Sequence, residues 1–477
     1  AATPQPDQGR YPGFGDQDPG SRKNGAGLMR RYEKYKDSGI EWIGEIPEHW
    51  EIKKIKHLTK LIGGYAFKSE FFSLEGIPVI RIGDISDNIN FELCNKIISE
   101  DISIEFFLNQ YDTLIALSGA TVGKACYINK TPPKAYVNQR VAKIPFQNKF
   151  LFYIITSSYI QKQIILTSLG SAQENISNSQ IENLDIALTN ISSEQTAIAT
   201  YLDQKTAGID ALITDKKRLL ELYEEEKSAI INEAVTKGLA STRLASTRLA
   251  STSSATRGGV KMKDSGIEWM GEIPAHWEVK RLRHLLSEKL MYGANESAEE
   301  ENVDDPRYIR ITDFRNDGVL KNDTFKSLPY EKAKDYILKE GDILFARSGA
   351  TVGKTFQFKN FLGLACFAGY LIKASPNPDL LLSDYLYFFT KSGIYEDWKN
   401  SIFNQATIQN IGADKYANLE IPTPPTITEQ IQITEFISNE LQRIDTKKEK
   451  TQKLIDLLTE YRTALISEVV TGKVKVV

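Results

Sequence analysis

The sequence predicts an α+β protein: two pseudo-twofold-related domains of mixed α/β structure, separated by two long antiparallel helices that form a coiled-coil-like spacer. Three internal echoes predict this. The segment KYKDSGIEWIGEIPEHWEIKKIKHL (Lys34–Leu58) returns as KMKDSGIEWMGEIPAHWEVKRLRHL (Lys261–Leu285), 227 positions later, with 18 of 25 residues identical. LSGATVGK (Leu117–Lys124) returns as RSGATVGK (Arg347–Lys354) at an offset of 230. EQTAIATYLDQKTAGIDALI from Glu194 is echoed by EQIQITEFISNELQRIDTKK from Glu429 at an offset of 235. The slow drift of the offset marks one unit of roughly 230 residues, duplicated with small insertions, and not a short-period solenoid. The stretches between the echoes diverge, so a shared scaffold is expected to present two different surfaces.

Taken in order, residues 1–28 are rich in Pro, Gly, Gln and Asp without periodicity. They are read as a disordered tail or expression remnant, with Met29 the expected start. A mixed domain over 29–190 follows, with strands expected at IPVIRIGDI (Ile77–Ile85) and TLIAL (Thr113–Leu117) and a helix over Leu151–Leu169. From Ile191 the composition shifts to Glu, Lys, Leu, Ala and Ile without proline, predicting a spacer helix over 191–238. Positions 209, 213, 216, 220, 223, 227, 230 and 234 form a seam with six of eight apolar occupants. Shifted by 235, the seam Ile444, Lys448, Thr451, Ile455, Leu458, Arg462, Leu465 and Val469 has five of eight apolar. Two such imperfect seams in one chain are expected to pack on each other. Residues 239–260 hold LASTRLASTRLAST (Leu239–Thr252), a five-residue period, and a Ser/Gly-rich joint. A second mixed domain over 261–425 and a C-terminal helix over 426–477 complete the unit.

The chain has 477 residues, 41% hydrophobic and 25% charged, an ordinary globular balance with ample core. No run approaches the roughly 18 apolar residues of a membrane span, and no secretory signal is visible, so no membrane partner is expected. Cys94, Cys126 and Cys366 lack metal-ligand spacing and read as free thiols in a reducing, cytoplasmic compartment. The net charge of −3 opposes any simple nucleic-acid reading. Cations are local: Lys53, Lys54, Lys56 and Lys60 after one frame, and Lys280, Arg281 and Arg283 after the other.

No catalytic constellation stands out, and the chain is read as non-catalytic. A phosphate loop needs Gly, four residues, then Gly-Lys-Ser/Thr. Here Ser118 and Ser348 occupy the first position and Ala125 replaces one terminal hydroxyl, so a glycine turn leaving a strand is expected. The frame tryptophans Trp42, Trp50, Trp269 and Trp277 are expected to anchor the core. The four histidines (His49, His57, His276, His284) all lie in this frame, without acidic or Cys partners at ligand spacing, so no metal site is expected.

Together the duplicated EIPxxW frame, the repeated SGATVGK turn, the EQxxI helix starts and the central repeat resemble the specificity subunit of a Type I restriction-modification enzyme, over about residues 30–477. The resemblance implies that 29–190 and 261–425 are target recognition domains, each reading a few base pairs of double-stranded DNA. It implies that the helices dock two modification (methyltransferase) subunits, with restriction (translocase/endonuclease) subunits as further partners. Cofactors are then expected on those partners, S-adenosylmethionine, ATP and Mg, and none in this chain. Because NQRVAK (Asn138–Lys143) faces AGYLIK (Ala368–Lys373), the two half-sites should differ. In this picture the Leu-Ala-Ser-Thr-Arg repeat tunes the spacing, since five helical residues add ~7.5 Å, about two base pairs. Deleting one copy is expected to shorten the unread gap in the methylated motif by one or two base pairs. An altered half-site in that methylation map would refute the idea.

The candidate DNA-binding residues are polar or basic groups near expected strand ends and glycine turns. They are Lys68, Arg81, Ser118, Lys124, Gln139 and Arg140, then Arg310, Arg315, Arg347, Lys354 and Gln405. The alternative functional class is a two-headed protein–protein adaptor without sequence-specific DNA binding.

Overall fold

The computed structural model describes residues 30–86, 88–98, 102–169, 175–239, 261–298, 301–315, 320–321, 323–403 and 410–476. Gln405 and nearly all of the Leu-Ala-Ser-Thr-Arg repeat lie outside the described residues. The chain divides into two units, one of Ala1–Leu212 with Leu457–Val477 and one of Ile213–Asp456. Each unit thus takes one mixed domain, the start of one long helix and the end of the other.

The two domains run through the same succession of elements. A strand at Tyr35–Asp37 pairs antiparallel with Glu45–Pro47, as Met262–Asp264 does with Glu272–Pro274. The strand Glu51–Lys54 pairs with the distant Asp185–Leu188, and Glu278–Arg281 with Glu420–Thr423. Each domain is centred on a four-stranded antiparallel sheet. In the first unit its order is Ile62–Gly63, Val141–Pro145, Asp112–Ala116, Ala125–Tyr127. In the second it is Met291–Tyr292, Leu371–Ala374, Ile343–Ala346, Thr355–Gln357. Each also has a parallel pair, Ile77–Ile80 with Tyr136–Val137 and Arg307–Ile309 with Ala365–Phe367. The central strands Asp112–Ala116 and Ile343–Ala346 are buried at every position, which explains the unbroken apolar runs Leu114–Ala116 and Ile343–Ala346.

Two sequence expectations need correction. The run Ile77–Ile85 is a strand only to Ile80, then a 3₁₀ turn at Ile82–Asp84, because the Asp84 carboxylate accepts the Arg81 backbone N–H at 2.8 Å and closes the chain. The helix expected over Leu151–Leu169 is two, Lys149–Thr156 and Ser158–Ser168. Ser157 between them is extended, and its hydroxyl takes the Ile154 carbonyl that the next helical N–H would have used. Ser392 does the same to Phe389 in the second unit, between Ser383–Phe389 and Gly393–Phe403.

The duplicated frame anchors the long helices, Ser192–Lys237 and Ile427–Val470. Trp50 and Trp277 are fully buried. Their indole N–H groups donate to Glu194 and Glu429 in the first turns of the two helices, at 3.3 and 2.9 Å. His49 and His276 reach the same carboxylates at 3.0 and 3.1 Å. A carboxylate in a first helical turn also meets the positive end of the helix dipole. Each frame holds the end of the other helix as well. A Cβ on Gly472 would lie 2.3 Å from Pro47, and one on Gly238 would lie 3.2 Å from Trp277. Both glycines have φ near +70° (74° and 68°), closing the helices in the left-handed conformation that glycine tolerates. Not every tryptophan is core: Trp42 is 55% exposed.

Every position of both expected helical seams is buried or half-buried, so the 3.5-residue register holds on each helix. Ion pairs set the antiparallel alignment within each unit: Asp210 with Arg462 at 2.8 Å in the first, Lys227 with Asp445 at 2.6 Å and Glu224 with Lys448 in the second. The numbers of both pairs in the second unit add to 672, as one antiparallel register within that unit requires. Asp210 and Asp445 are equivalent under the offset of 235, as are Lys227 and Arg462. One bridge is therefore made twice, with Lys exchanged for Arg.

Candidate nucleic-acid interface

In the first unit, three chain segments converge where the parallel pair meets the central sheet. The Asn138 N–H donates to Ile80 O at 2.9 Å, setting the turn Asn138–Arg140 beside Arg81. The Gln139 N–H donates to Tyr65 O and the Leu117 N–H to Arg140 O, both at 2.9 Å. Arg81, Ser118, Gln139 and Arg140 are thus brought together, with Arg81, Gln139 and Arg140 exposed. Lys124 is exposed within the same SGATVGK turn. Lys68 lies three residues beyond Tyr65, exposed, over the Phe71 ring.

The second unit repeats the backbone and changes the side chains. The Ala368 N–H donates to Ile309 O at 2.9 Å, Gly369 to Ala294 O at 2.7 Å and Arg347 to Tyr370 O at 3.0 Å. Arg310 stands where Arg81 stands, after the parallel strand, but its guanidinium is held by both oxygens of Asp313 at 2.8 and 3.1 Å and by Thr324 O. The Arg347 guanidinium lies 5.0 Å from the centroid of the Tyr292 ring. Arg315 and Lys354 line a separate cavity nearby. Glycine makes this packing possible: a Cβ at Gly64 would lie 2.2 Å from Asn138 O, and one at Gly293 2.3 Å from Phe367 O. Those atoms are backbone, so no side chain can move aside.

The SGATVGK segment joins two antiparallel strands, through a 3₁₀ turn at Gly119–Thr121 or Gly349–Thr351. That is a hairpin connection, in place of the strand–loop–helix geometry of a phosphate loop. Ser118 Oγ, Thr121 Oγ1 and Thr351 Oγ1 are buried at these turns without a hydrogen-bond partner.

Sequence reasoning missed the aromatic part of this edge. Tyr370, next to Gly369, is 62% exposed, and Tyr65 and Tyr292 are also exposed. The available signal was an aromatic residue beside a glycine in each segment. The basic clusters after the frames, which the sequence left without a role, are engaged within the fold. Lys53 bonds Asn190, Lys54 pairs with Asp185 and Lys56 bonds Asn183. Arg283 bonds Asn418, and Lys280 pairs with Glu278. These cations clamp strands and helix ends.

Two stretches of the chain, residues 47–222 and 274–455, match the model of the Type I restriction modification DNA specificity domain. The chain belongs to this family. Members are DNA-recognition subunits without catalytic activity of their own. Among curated relatives, the MjaVIII specificity subunit of Methanocaldococcus jannaschii is 31% identical over 212 residues, 41% of this chain and 47% of that protein. The EcoKI specificity subunit of Escherichia coli is 22% identical over 461 residues, 90% of each chain. Two solved chains share the fold. One comes from work on complex assembly and conformational transition of a type I R-M system, with a TM-score of 0.61 at 16% identity, covering 89% of this chain and 98% of that one. The other is the HsdS subunit of Thermoanaerobacter tengcongensis, with a TM-score of 0.52 at 14% identity, covering 90% and 98%. The duplication in this specificity subunit is therefore a pair of specificity domains. Among its described residues no helix is long and apolar enough to cross a membrane.

Proposed function

We propose that this specificity subunit reads a split, asymmetric site in double-stranded DNA, one half-site per unit, and positions modification and restriction subunits on it. The observation that carries the reading is the converged edge. Both units build it with the same strand ends, the same glycine contact and the same turn, yet one presents Asn138, Gln139 and Arg140 where the other presents Ala368, Gly369 and Tyr370. Polar and guanidinium groups at such an edge suit hydrogen bonding to base edges, and an exposed tyrosine suits apolar contact. Adenine methylation, S-adenosylmethionine, ATP and Mg belong in this reading to the partner subunits. A fixed gap between the half-sites is expected of two readers joined by long helices.

Co-expression with the cognate modification subunit, followed by mapping of methyladenine across the host genome, tests the proposal. The expected result is a bipartite motif with two unlike halves and a constant gap. A continuous motif, or no methylation from an assembled complex, would favour a protein–protein adaptor.

A further inference from the structure

The second unit has a cleft of about 240 Å³ at the converged edge, between the turn 368–370 and the chain leaving the parallel strand Arg307–Ile309. Its wall is mainly apolar, built by Ala294, Ala298, Ile311, Ala368, Gly369 and the exposed Tyr370. Of the polar side chains around it, Arg310 is held by Asp313 and Thr324 O. The Tyr308 hydroxyl donates to Ala294 O at 2.7 Å, and Glu296 pairs with Lys332 at 2.8 Å. The first unit fills the corresponding place. Tyr65, which bonds Gln139 as Ala294 bonds Gly369, packs its ring 5.1 Å from that of Phe67 and 5.4 Å from that of Phe106, centroid to centroid.

We infer that this cleft takes the 5-methyl group of a thymine, recognised in the second unit's half-site by apolar contact with Ile311, Ala368 and Tyr370. The inference rests on the DNA-recognition reading and names one base for one unit. The cleft is continuous with the edge proposed to meet the bases, through Gly369 and Tyr370. In the major groove every base pair offers hydrogen-bonding atoms, and thymine alone offers an aliphatic group. A wall of alanine, isoleucine and tyrosine surface cannot repay the desolvation of a base nitrogen or oxygen, whereas it gains by covering a methyl.

The exchange of side chains between the units points the same way. Gln139 and Arg140 of the first unit, two hydrogen-bonding side chains, are replaced by Gly369 and Tyr370 on the same backbone. Arg81 is exposed, whereas its counterpart Arg310 is tied to Asp313. A Cβ at Gly369 would lie 3.3 Å from Ala294 O, tight but within reach of a small shift, and the first unit carries a glutamine at this place.

The test measures affinity of the complex assembled with modification subunits for its target duplex, each thymine of either strand being replaced in turn by deoxyuridine, which removes only the methyl. One thymine in one half-site is expected to show a loss of about fourfold, the scale of burying one methylene-sized group. The double variant Gly369→Gln/Tyr370→Arg, which installs the first unit's pair, should abolish that loss. Tyr370→Ala, which adds no volume, should shrink it. Both should respond to deoxyuridine in the other half-site as wild type does, which controls for folding damage. A loss that persists undiminished in both variants would place the methyl against another residue and overturn the inference. So would sequence-specific binding indifferent to every deoxyuridine. Failure of the variants, at wild-type melting temperature, to assemble with modification subunits would make the cleft a protein contact and overturn it too. If wild-type complex shows no sequence-specific binding at all, the DNA-recognition reading fails and the inference with it.

Discussion

Replacing Glu194 by alanine is expected to lower stability by about 3–5 kcal/mol, the scale of breaking a buried hydrogen-bonded charge network. One carboxylate accepts from the Trp50 indole, the Thr189 hydroxyl at 2.5 Å and the Tyr32 hydroxyl at 2.7 Å, with His49 Nε2 at 3.0 Å. Alanine leaves the buried Trp50 indole and Thr189 hydroxyl without their acceptor, and each unsatisfied buried donor costs about 1–3 kcal/mol before relaxation. Glu429→Ala should cost less. Its carboxylate meets only His276 and Trp277 among the described side chains, and it is 26% exposed against 8% for Glu194. Urea unfolding of both variants checks the order; equal losses would contradict it. Burial pushes the Glu194 carboxyl up, but the bonds from Thr189, Tyr32, His49 and Trp50 outweigh it and leave the group below the ordinary carboxylate range. A depressed folded value means the contribution is present at neutral pH, above the unfolded value, and is lost as pH falls through the folded one. Acid unfolding of wild type should therefore be steeper than that of Glu194→Ala.

Gly64→Ala is expected to abolish reading of one half-site while sparing the other. The added methyl would overlap the carbonyls of Asn138 and Val137 at 2.2 and 2.3 Å, both backbone atoms of the turn that carries Gln139 and Arg140. Displacing that turn costs ~3 kcal/mol on the scale of backbone strain, about a hundredfold in affinity. Gly293→Ala should have the mirrored effect through Phe367 and Ala368. Competition binding with duplexes scrambled in one half-site at a time distinguishes them. Loss of discrimination at the same half-site in both variants would refute the assignment of one half-site to each unit.

Much of this was legible in the chain. The frames and turns are near-identical strings, and the two seams sit on a period that consecutive residues carry by themselves, so the duplication and helix register could be read locally. Lys227 and Lys448 looked like flaws in those seams. Their carboxylate partners Asp445 and Glu224 lie over two hundred residues away, and only the fold brings them together.

The candidate interface was legible in part. Arg81, Ser118, Gln139 and Arg140 could be chosen because strand ends and glycine turns collect at one edge of a sheet. Arg310 could not be told from Arg81, since both follow a parallel strand with aspartate three residues on; only in the fold does Asp313 hold its guanidinium from two sides.

The sequence by itself determined that one unit occurs twice, that long paired helices follow each domain, and that the two interiors differ. Repetition and helical period are properties of neighbouring residues, so they survive without a fold. Only the tertiary structure decided which charges remain available at the surface, because a lysine or arginine is spent or free according to carboxylates and carbonyls contributed from elsewhere in the chain.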